Sequence, residues 1–494
     1  EIDFTFTSGP SGGWTGQVEY VSQVDSNNVP VSWSPLSFTT RNFDDALKSA
    51  IQFKKDVKTN GAFVFGGTAE SAGDVLGYVA SLTQFGTPTF FIDEADFRER
   101  ALAWDKALKD SFGSHAGTVY YASKAFICTE LARWINDLGI GIDVSTGGEM
   151  AVALAGGIDP SKIEVHGNNK SIAEIDKAVS VGVESIVIDS LYEIERVAEA
   201  AKKAGKVQRV LLRITPGIQA HTHESIATAH EDVKFGFSIA SGAAWAAINA
   251  VRTHPSLELR GIHAHIGSQI FGYKSFEILS ERLIALLAQY RDEFKSELPE
   301  LDLGGGYGIA YLPGDETVDP HEAMRALAAA VTKNCEMHKL KIPTVSIEPG
   351  RAIVGPTMFT LYEVGTVKDV TLENGAHRRY VSVDGGMSDN IRPSLYGAEY
   401  TTVLANRTSG AKNVSSRLVG KHCETGDIVI REIDLPDDII PGDLLAVPAT
   451  GAYGRSMASN YNHVPRPPVV AVMDGKARVI VRRESEADLL CLDI

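Results

Sequence analysis

Residues 117–146 read GTVYYASKAFICTELARWINDLGIGIDVST, and the order of patterns in them decides the fold. The run 119–123 is short, apolar and aromatic, as a strand is; 130–138 places Leu131, Trp134, Ile135 and Leu138 at helical spacing; 140–144 is a second apolar run. A strand, an amphipathic helix and another strand make one turn of a parallel strand–helix repeat. The alternation continues downstream, with strands expected at 163–166, 185–189, 209–214, 259–266, 300–303 and 344–348, and with helices such as 172–181, 193–204 and 277–290 between them. A further helix, 94–111, precedes the first strand. Eight strands alternating with helices predict an α/β fold, a (β/α)8 TIM-type barrel over residues 113–351.

Past residue 351 the period changes. Runs at 359–364, 380–383, 427–429, 444–448, 469–473 and 477–481 follow one another through turns with little helical spacing, which predicts a C-terminal all-β domain over 352–494. The lead-in, 76–112, holds a strand-like run at 87–92 that is placed to join that domain from the other side of the barrel. Residues 1–75 are rich in Gly, Ser, Asn and Thr and show helical spacing only at 43–55; they read as an N-terminal extension without an assigned role.

At 494 residues the chain exceeds one ordinary core, and 44% apolar with 22% charged residues is a globular balance. The net charge of −16 would repel a phosphate backbone or an anionic bilayer, so neither nucleic acid nor membrane is an expected partner. Apolar runs such as 283–288 are far shorter than the roughly 20 residues of a membrane span. Cys128, Cys335, Cys423 and Cys491 stand apart with no C-x-x-C pair, and no signal-peptide pattern opens the sequence, so a cytoplasmic protein is expected.

The expected C-terminal ends of the strands carry Lys124, Asp143, His166, Arg213, His265, the run Gly304-Gly305-Gly306 and Glu348. Barrel active sites gather at that face, where the βα loops converge. Lys124, flanked by small and apolar residues, is expected to be partly desolvated, with a lowered pKa that frees its amine for Schiff-base formation. A lone rim lysine more often snorkels to solvent, but this one has company. The glycine run lets backbone N–H groups approach an anion, on the seventh strand where barrels commonly bind phosphate. The stretch Glu348-Pro349-Gly350-Arg351 adds a carboxylate and a guanidinium, and an acidic partner keeps a pyridine nitrogen protonated.

From about residue 86 onward the chain resembles the diaminopimelate decarboxylases, of the fold family that also holds eukaryotic ornithine decarboxylase and alanine racemase. The resemblance rests on YYASKA (120–125), HGNNKS (166–171), AHTHESIATAHEDVKFGF (220–237), HAHIGSQ (263–269), LDLGGGYGIAY (301–311), EPGRAIVGP (348–356), DGGMSDNIRPSLYGAEY (384–400), HCETGD (422–427) and ATGAYGRSMASNYN (449–462). It implies pyridoxal 5'-phosphate as cofactor and the conversion of meso-2,6-diaminopimelate to L-lysine and CO2, the last step of lysine biosynthesis. It further implies that Lys124 holds the cofactor covalently, His265 stacks on its ring and Glu348 pairs with its nitrogen. Ser268, Gly306, the backbone around Gly350 and Tyr453 would surround the phosphate, with Asp143, His166, Gly305 and Arg351 also facing the cofactor. Substrate would meet Arg351, Arg392, Tyr396, Glu424 and Tyr453, with Cys423 as proton donor. Cys423 and Glu424 would reach the neighbouring site of a homodimer whose active sites are shared across the interface. These roles are chemically compatible: arginine forks bind carboxylates bidentately, and a thiol near neutrality still carries its proton. Residues 454–456 receive no role.

Three rivals are weighed. A decarboxylase of ornithine, lysine or arginine shares the cofactor logic, but Arg392 and Glu424 suit a substrate with both charges at its far end. A metal-dependent barrel hydrolase could use His263, His265, His221, His223 and Asp189, yet it leaves Lys124, the glycine run and 348–351 without a shared purpose. A cofactor-binding homologue without turnover fits poorly with a chain that keeps both Lys124 and Cys423.

Overall fold

Eight short strands, buried on both faces, form the centre of the structure, a computed structural model that describes residues 4–7, 15–24, 30–38, 83–217, 234–474 and 476–494. Burial on both faces is why these strands read as unbroken apolar runs and not as alternating ones. The N-terminal strands β1 (Phe4–Thr7), β2 (Thr15–Val24) and β3 (Pro30–Phe38) form an antiparallel meander. The sequence reading placed no strand there; the alternation around Val18, Tyr20 and Leu36 was masked by the many Ser, Thr and Asn residues. The helical spacing at 43–55 lies outside the described residues.

After β4 (Thr89–Asp93) and the helix Glu94–Phe112 come the barrel strands β5 (Ala116–Ala122), β6 (Gly141–Val144), β7 (Ile163–Val165), β8 (Ser185–Ile188) and β9 (Gln208–Thr215). A two-residue β10 (Phe237–Ser238) adds to β9, and β11 (Leu257–His263), β12 (Glu300–Asp302) and β13 (Thr344–Ile347) complete the ring. All neighbours are parallel, β13 pairs with β5, and β8 pairs with β9, so the barrel closes. Helix ends follow local chemistry. The helix Ile172–Val181 starts at a Ser171/Glu174 capping box and stops at Gly182 in the left-handed region.

The C-terminal domain is built on β14 (Met358–Thr371), which pairs with β15 (His377–Val383) on one side and with β4 on the other. The remaining strands are β16 (Val403–Leu404), β17 (Asn413–Val419), β18 (Ile428–Pro436), β19 (Leu444–Pro448), β20 (Val469–Met473) and β21 (Lys476–Val481). β4 lies between β14 and β20, so the strand before the barrel is part of the sheet that follows it. That shared sheet ties the β domain to the barrel at two chain crossings and holds the loops after β13 and β19 beside the barrel mouth. Among the described residues no helix is long and apolar enough to cross a membrane.

Candidate active site

The chain leaves β5 through Ala122 and Ser123, and the next side chain, Lys124, stands at the barrel mouth with 37% of its surface open. Its Nζ donates to Oδ2 of Asp143, on neighbouring β6, at 2.9 Å. Burial pulls the amine's pKa down, but Asp143, Glu348 and Tyr453 more than offset it, so the group is held above the ordinary lysine value. This corrects the expectation of a lowered pKa: the flanking residues show the desolvation, the largest single influence, while Asp143, Glu348 and Tyr453 together outweigh it.

Glu348 follows β13 and is 3% exposed. Its Oε1 lies 2.9 Å from His166 Nε2 and 3.1 Å from His263 Nε2, and His166 also hydrogen-bonds to Glu164 Oε1 at 3.0 Å. Burial alone would raise the Glu348 pKa, yet the two imidazoles hold it well below the usual carboxylate range. Burial would lower His166, but Glu348 and Asp143 lift it well above an ordinary histidine. Burial pushes His263 down to about 4. His265 is likewise held low by burial and by the charges of Lys124 and Arg213, and its Nδ1 accepts the Gly305 N–H at 3.3 Å.

The glycine run is required by crowding of backbone on backbone. A Cβ on Gly305 would lie 2.1 Å from the Glu348 carbonyl oxygen, and one on Gly306, at φ +103°, 2.2 Å from the Gly267 carbonyl oxygen. The run therefore draws the loops after β11, β12 and β13 against one another. Gly350 similarly abuts Ala122, since a Cβ there would lie 2.8 Å from the Ala122 Cβ.

Above this floor sit two guanidiniums. Arg351, 8% exposed, donates to the Tyr311 hydroxyl and, at 2.9 Å, to Ser268 Oγ, and its guanidinium carbon lies 4.8 Å over the Tyr453 ring. Arg392, 6% exposed, donates to the Tyr400 hydroxyl and lies 4.7 Å over the Tyr311 ring. Among the described residues neither has a carboxylate partner. Tyr453, at φ 61°, donates its N–H to the Ala125 carbonyl at 2.9 Å, and Ser456 Oγ donates to the same oxygen at 2.9 Å. The loop after β19 is thereby fastened beside Lys124; Ser456, given no role from sequence, helps to anchor it.

Cys423 and Glu424 are exposed, on a turn fixed by Asp427, which accepts from Met387 N at 2.6 Å and from His422 N at 2.8 Å. Tyr396 ends the short helix Arg392–Tyr396 and is half-buried. No recorded contact joins Cys423, Glu424 or Tyr396 to Lys124 among the described residues. The structure thus gathers Lys124, Asp143, His166, His265, Gly305 and Glu348 into one floor at the barrel mouth, with Ser268, Gly350, Arg351, Arg392 and Tyr453 above and beside it. Sequence reasoning missed Tyr311, Tyr400, Glu164 and Asp302. The last two carried a usable signal, since an acid inside an otherwise apolar strand needs a partner.

The metal reading is not assembled. His166, His263 and Glu348 do bring ligand-type atoms within 4.8 Å of one another. However, His265 faces Gly305, Asp189 faces Arg213 at 3.7 Å, and His221 and His223 lie outside the described residues. The residues present do fit pyridoxal phosphate. Asp143 Oδ1 and Arg351 Nε are buried without a hydrogen-bond partner among the described residues, and Glu348 is held ionised beside two imidazoles. A buried, ionised carboxylate suits a protonated ring nitrogen, and the free acceptor and donor beside it suit the polar substituents of such a ring.

Residues 94–355 match the pyridoxal-binding domain of the pyridoxal-dependent decarboxylases. The diaminopimelate decarboxylase of Mycobacterium tuberculosis is 54% identical over 415 residues, which span 83% of this chain and 92% of that one. The solved diaminopimelate decarboxylase of Helicobacter pylori, complexed with L-lysine, superposes with a TM-score of 0.76 at 29% identity, covering 84% of this chain and 99% of the other. A lysine/ornithine decarboxylase from Vibrio vulnificus, at 21% identity and a TM-score of 0.68, shares the fold. By sequence, by fold and by the residues gathered at the barrel mouth, this chain belongs to the diaminopimelate decarboxylases, enzymes that work with pyridoxal phosphate.

Proposed function

We propose that this enzyme decarboxylates meso-2,6-diaminopimelate to L-lysine and CO2, with Lys124 as the residue that holds the cofactor. The observation that carries the reading is the Lys124–Asp143 pair at 2.9 Å beside a Glu348 kept ionised by two imidazoles. When bound, pyridoxal phosphate supplies an electron sink for the pair left as the Cα–carboxylate bond breaks. The chain's own groups divide the remaining work. Glu348, accepting through its carboxylate, keeps a proton on the ring nitrogen. Neutral His265 offers a flat, uncharged face at the mouth. Asp143 would hold the Lys124 ammonium in place at the mouth whenever the amine is not joined to the cofactor. Ser268, Gly306, the backbone at Gly350 and Tyr453 are the proposed phosphate neighbours. Arg351 and Arg392 offer buried positive charge, without a carboxylate partner among the described residues, to substrate carboxylate, and Tyr396 and Glu424 complete the recognition.

Cys423 is the proposed proton donor to the carbon that loses CO2. Its exposure, and that of Glu424, supports a homodimer in which this turn enters the neighbouring subunit's site. A cytoplasmic location suits the four free cysteines. The test is CO2 release from meso-diaminopimelate, L-lysine, L-ornithine and L-arginine, each with and without added pyridoxal phosphate. Cofactor-dependent release from the first alone is expected. Release from a diamine precursor instead would replace the substrate, and release without cofactor would end the assignment.

A further inference from the structure

Tyr311 lies four residues beyond the glycine run's following Tyr307, on the loop after β12, and it packs against both the barrel core and the core of the β domain. Its position is fixed locally: Asp315 Oδ2 accepts the N–H groups of Tyr311 at 2.9 Å and Leu312 at 2.8 Å. Its ring meets Tyr400 edge-on, centroids 5.4 Å apart at 84°. What distinguishes it is its charged company. Arg351, from the barrel side, donates to its hydroxyl, and Arg392, from the β domain, lies against its ring. Two like charges, each nearly buried, are held together with a phenol between them and no carboxylate among the described residues. Such an arrangement is costly unless an anion completes it.

We infer that Tyr311 is a specificity-determining residue whose hydroxyl and ring hold the Arg351 and Arg392 guanidiniums converged on a single substrate carboxylate, the one retained in the product. The inference rests on the substrate reading above. The reacting carboxylate leaves as neutral CO2, so two guanidiniums clamped on it would bind the ground state more tightly than the transition state and slow the step. On the retained carboxylate the same contacts persist throughout, lowering KM without touching kcat. Tyr311 supplies what two separate arginines on two domains lack: a common partner, its hydroxyl for Arg351 and its ring for Arg392, that sets the angle between them before substrate arrives. Tyr400 does the same for Arg392 alone.

The experiment uses Tyr311→Phe holoenzyme, which keeps the ring and its packing in both cores. KM for meso-diaminopimelate should rise about tenfold, the worth of a hydrogen bond to a charged group, with kcat within about twofold. Binding of L-lysine, measured by calorimetry, should weaken by the same factor. Cadaverine, the same diamine chain without the carboxylate, should bind as it does to the unmodified protein. Tyr400→Phe should give a smaller effect of the same pattern. A fall in kcat with KM unchanged, or equal weakening of lysine and cadaverine in either variant, would overturn the inference. Failure of the substrate reading would show separately, as no CO2 from meso-diaminopimelate in the unmodified enzyme.

Discussion

The Lys124–Asp143 pair gives the sharpest handle on the cofactor site. Asp143→Asn keeps the shape and one acceptor while removing the charge that lies 2.9 Å from Nζ. At an effective dielectric constant of 20, unit charges that close attract by about 6 kcal/mol, an upper bound. Because 37% of the lysine side chain is open to solvent, screening reduces the net effect to about one or two pKa units. The burial that opposes Asp143 stays in place, and Glu348 still contributes, so the amine pKa falls toward the ordinary range and the neutral fraction near pH 8 grows about ten- to a hundredfold. The assay is the rate at which apoenzyme recaptures added pyridoxal phosphate, followed by the visible absorption of the lysine-bound cofactor across pH 6–10. In the unmodified protein the rate should climb with pH throughout, since attack requires an unprotonated amine. In Asp143→Asn the whole curve should move to lower pH. An unmoved curve would mean that Asp143 does not govern the Lys124 proton and would refute the reasoning.

Two other outcomes follow from the same physics. Asp389 is buried, accepts from the Tyr362 hydroxyl and from Gly386 N at 2.7 Å, and lies near Asp384 and Asp427; burial pushes its pKa from 3.8 up to about 7. Its folded pKa exceeds its unfolded one, so the stability it contributes is fully present below about pH 4 and is lost as pH rises toward 7. Thermal midpoints should therefore fall across that window and fall less in Asp389→Asn; parallel profiles would show that Asp389 is not the group responsible. For subunit sharing, equal mixing of Lys124→Ala and Cys423→Ala proteins makes half the dimers mixed, each with one intact site, so ~25% of full activity should return. No recovery after confirmed subunit exchange would mean that each site is built from one chain.

Much of the fold was legible because barrel strands announce themselves locally. The runs at 140–144, 163–166 and 444–448 end within a residue of β6, β7 and β19. β17 was not legible: Asn413–Val419 has serines at 415 and 416, one of them fully buried, so its face toward the core is not apolar enough to signal a strand. In the site, Lys124, Glu348 and the glycine run stood out since each ends a strand and has a chemistry that a plain turn does not need. Tyr311 did not, because nothing within its own loop marks it. Its meaning comes from Arg351 and Arg392, which are distant in sequence and brought near only by the sheet shared between β4, β14 and β20. The direction of the Lys124 pKa shift was misread for the same reason, with Asp143 nineteen residues away.

The acids inside the barrel show how one carboxylate can be kept charged where charge is expensive. Glu164, Asp302 and Glu348 lie within 4.8 Å of one another and all are buried. Three negative charges could not share that space, since each further ionisation must be made against the others in a poorly screened interior. Burial, together with Glu348 and Glu164, drives the Asp302 pKa well above the ordinary carboxylate value, which favours its protonated form. Burial likewise raises Glu164, whose Oε2 accepts from Ser185 at 2.6 Å while Oε1 faces His166. The ionised state is left to Glu348, which alone has two imidazoles against one oxygen. His166 is the counter-charge and His263, titrating near 4, the neutral neighbour. Neighbouring acids whose own ionisation is disfavoured thus concentrate the negative charge on the one carboxylate proposed to face the cofactor ring, which is the condition for that ring to accept electrons.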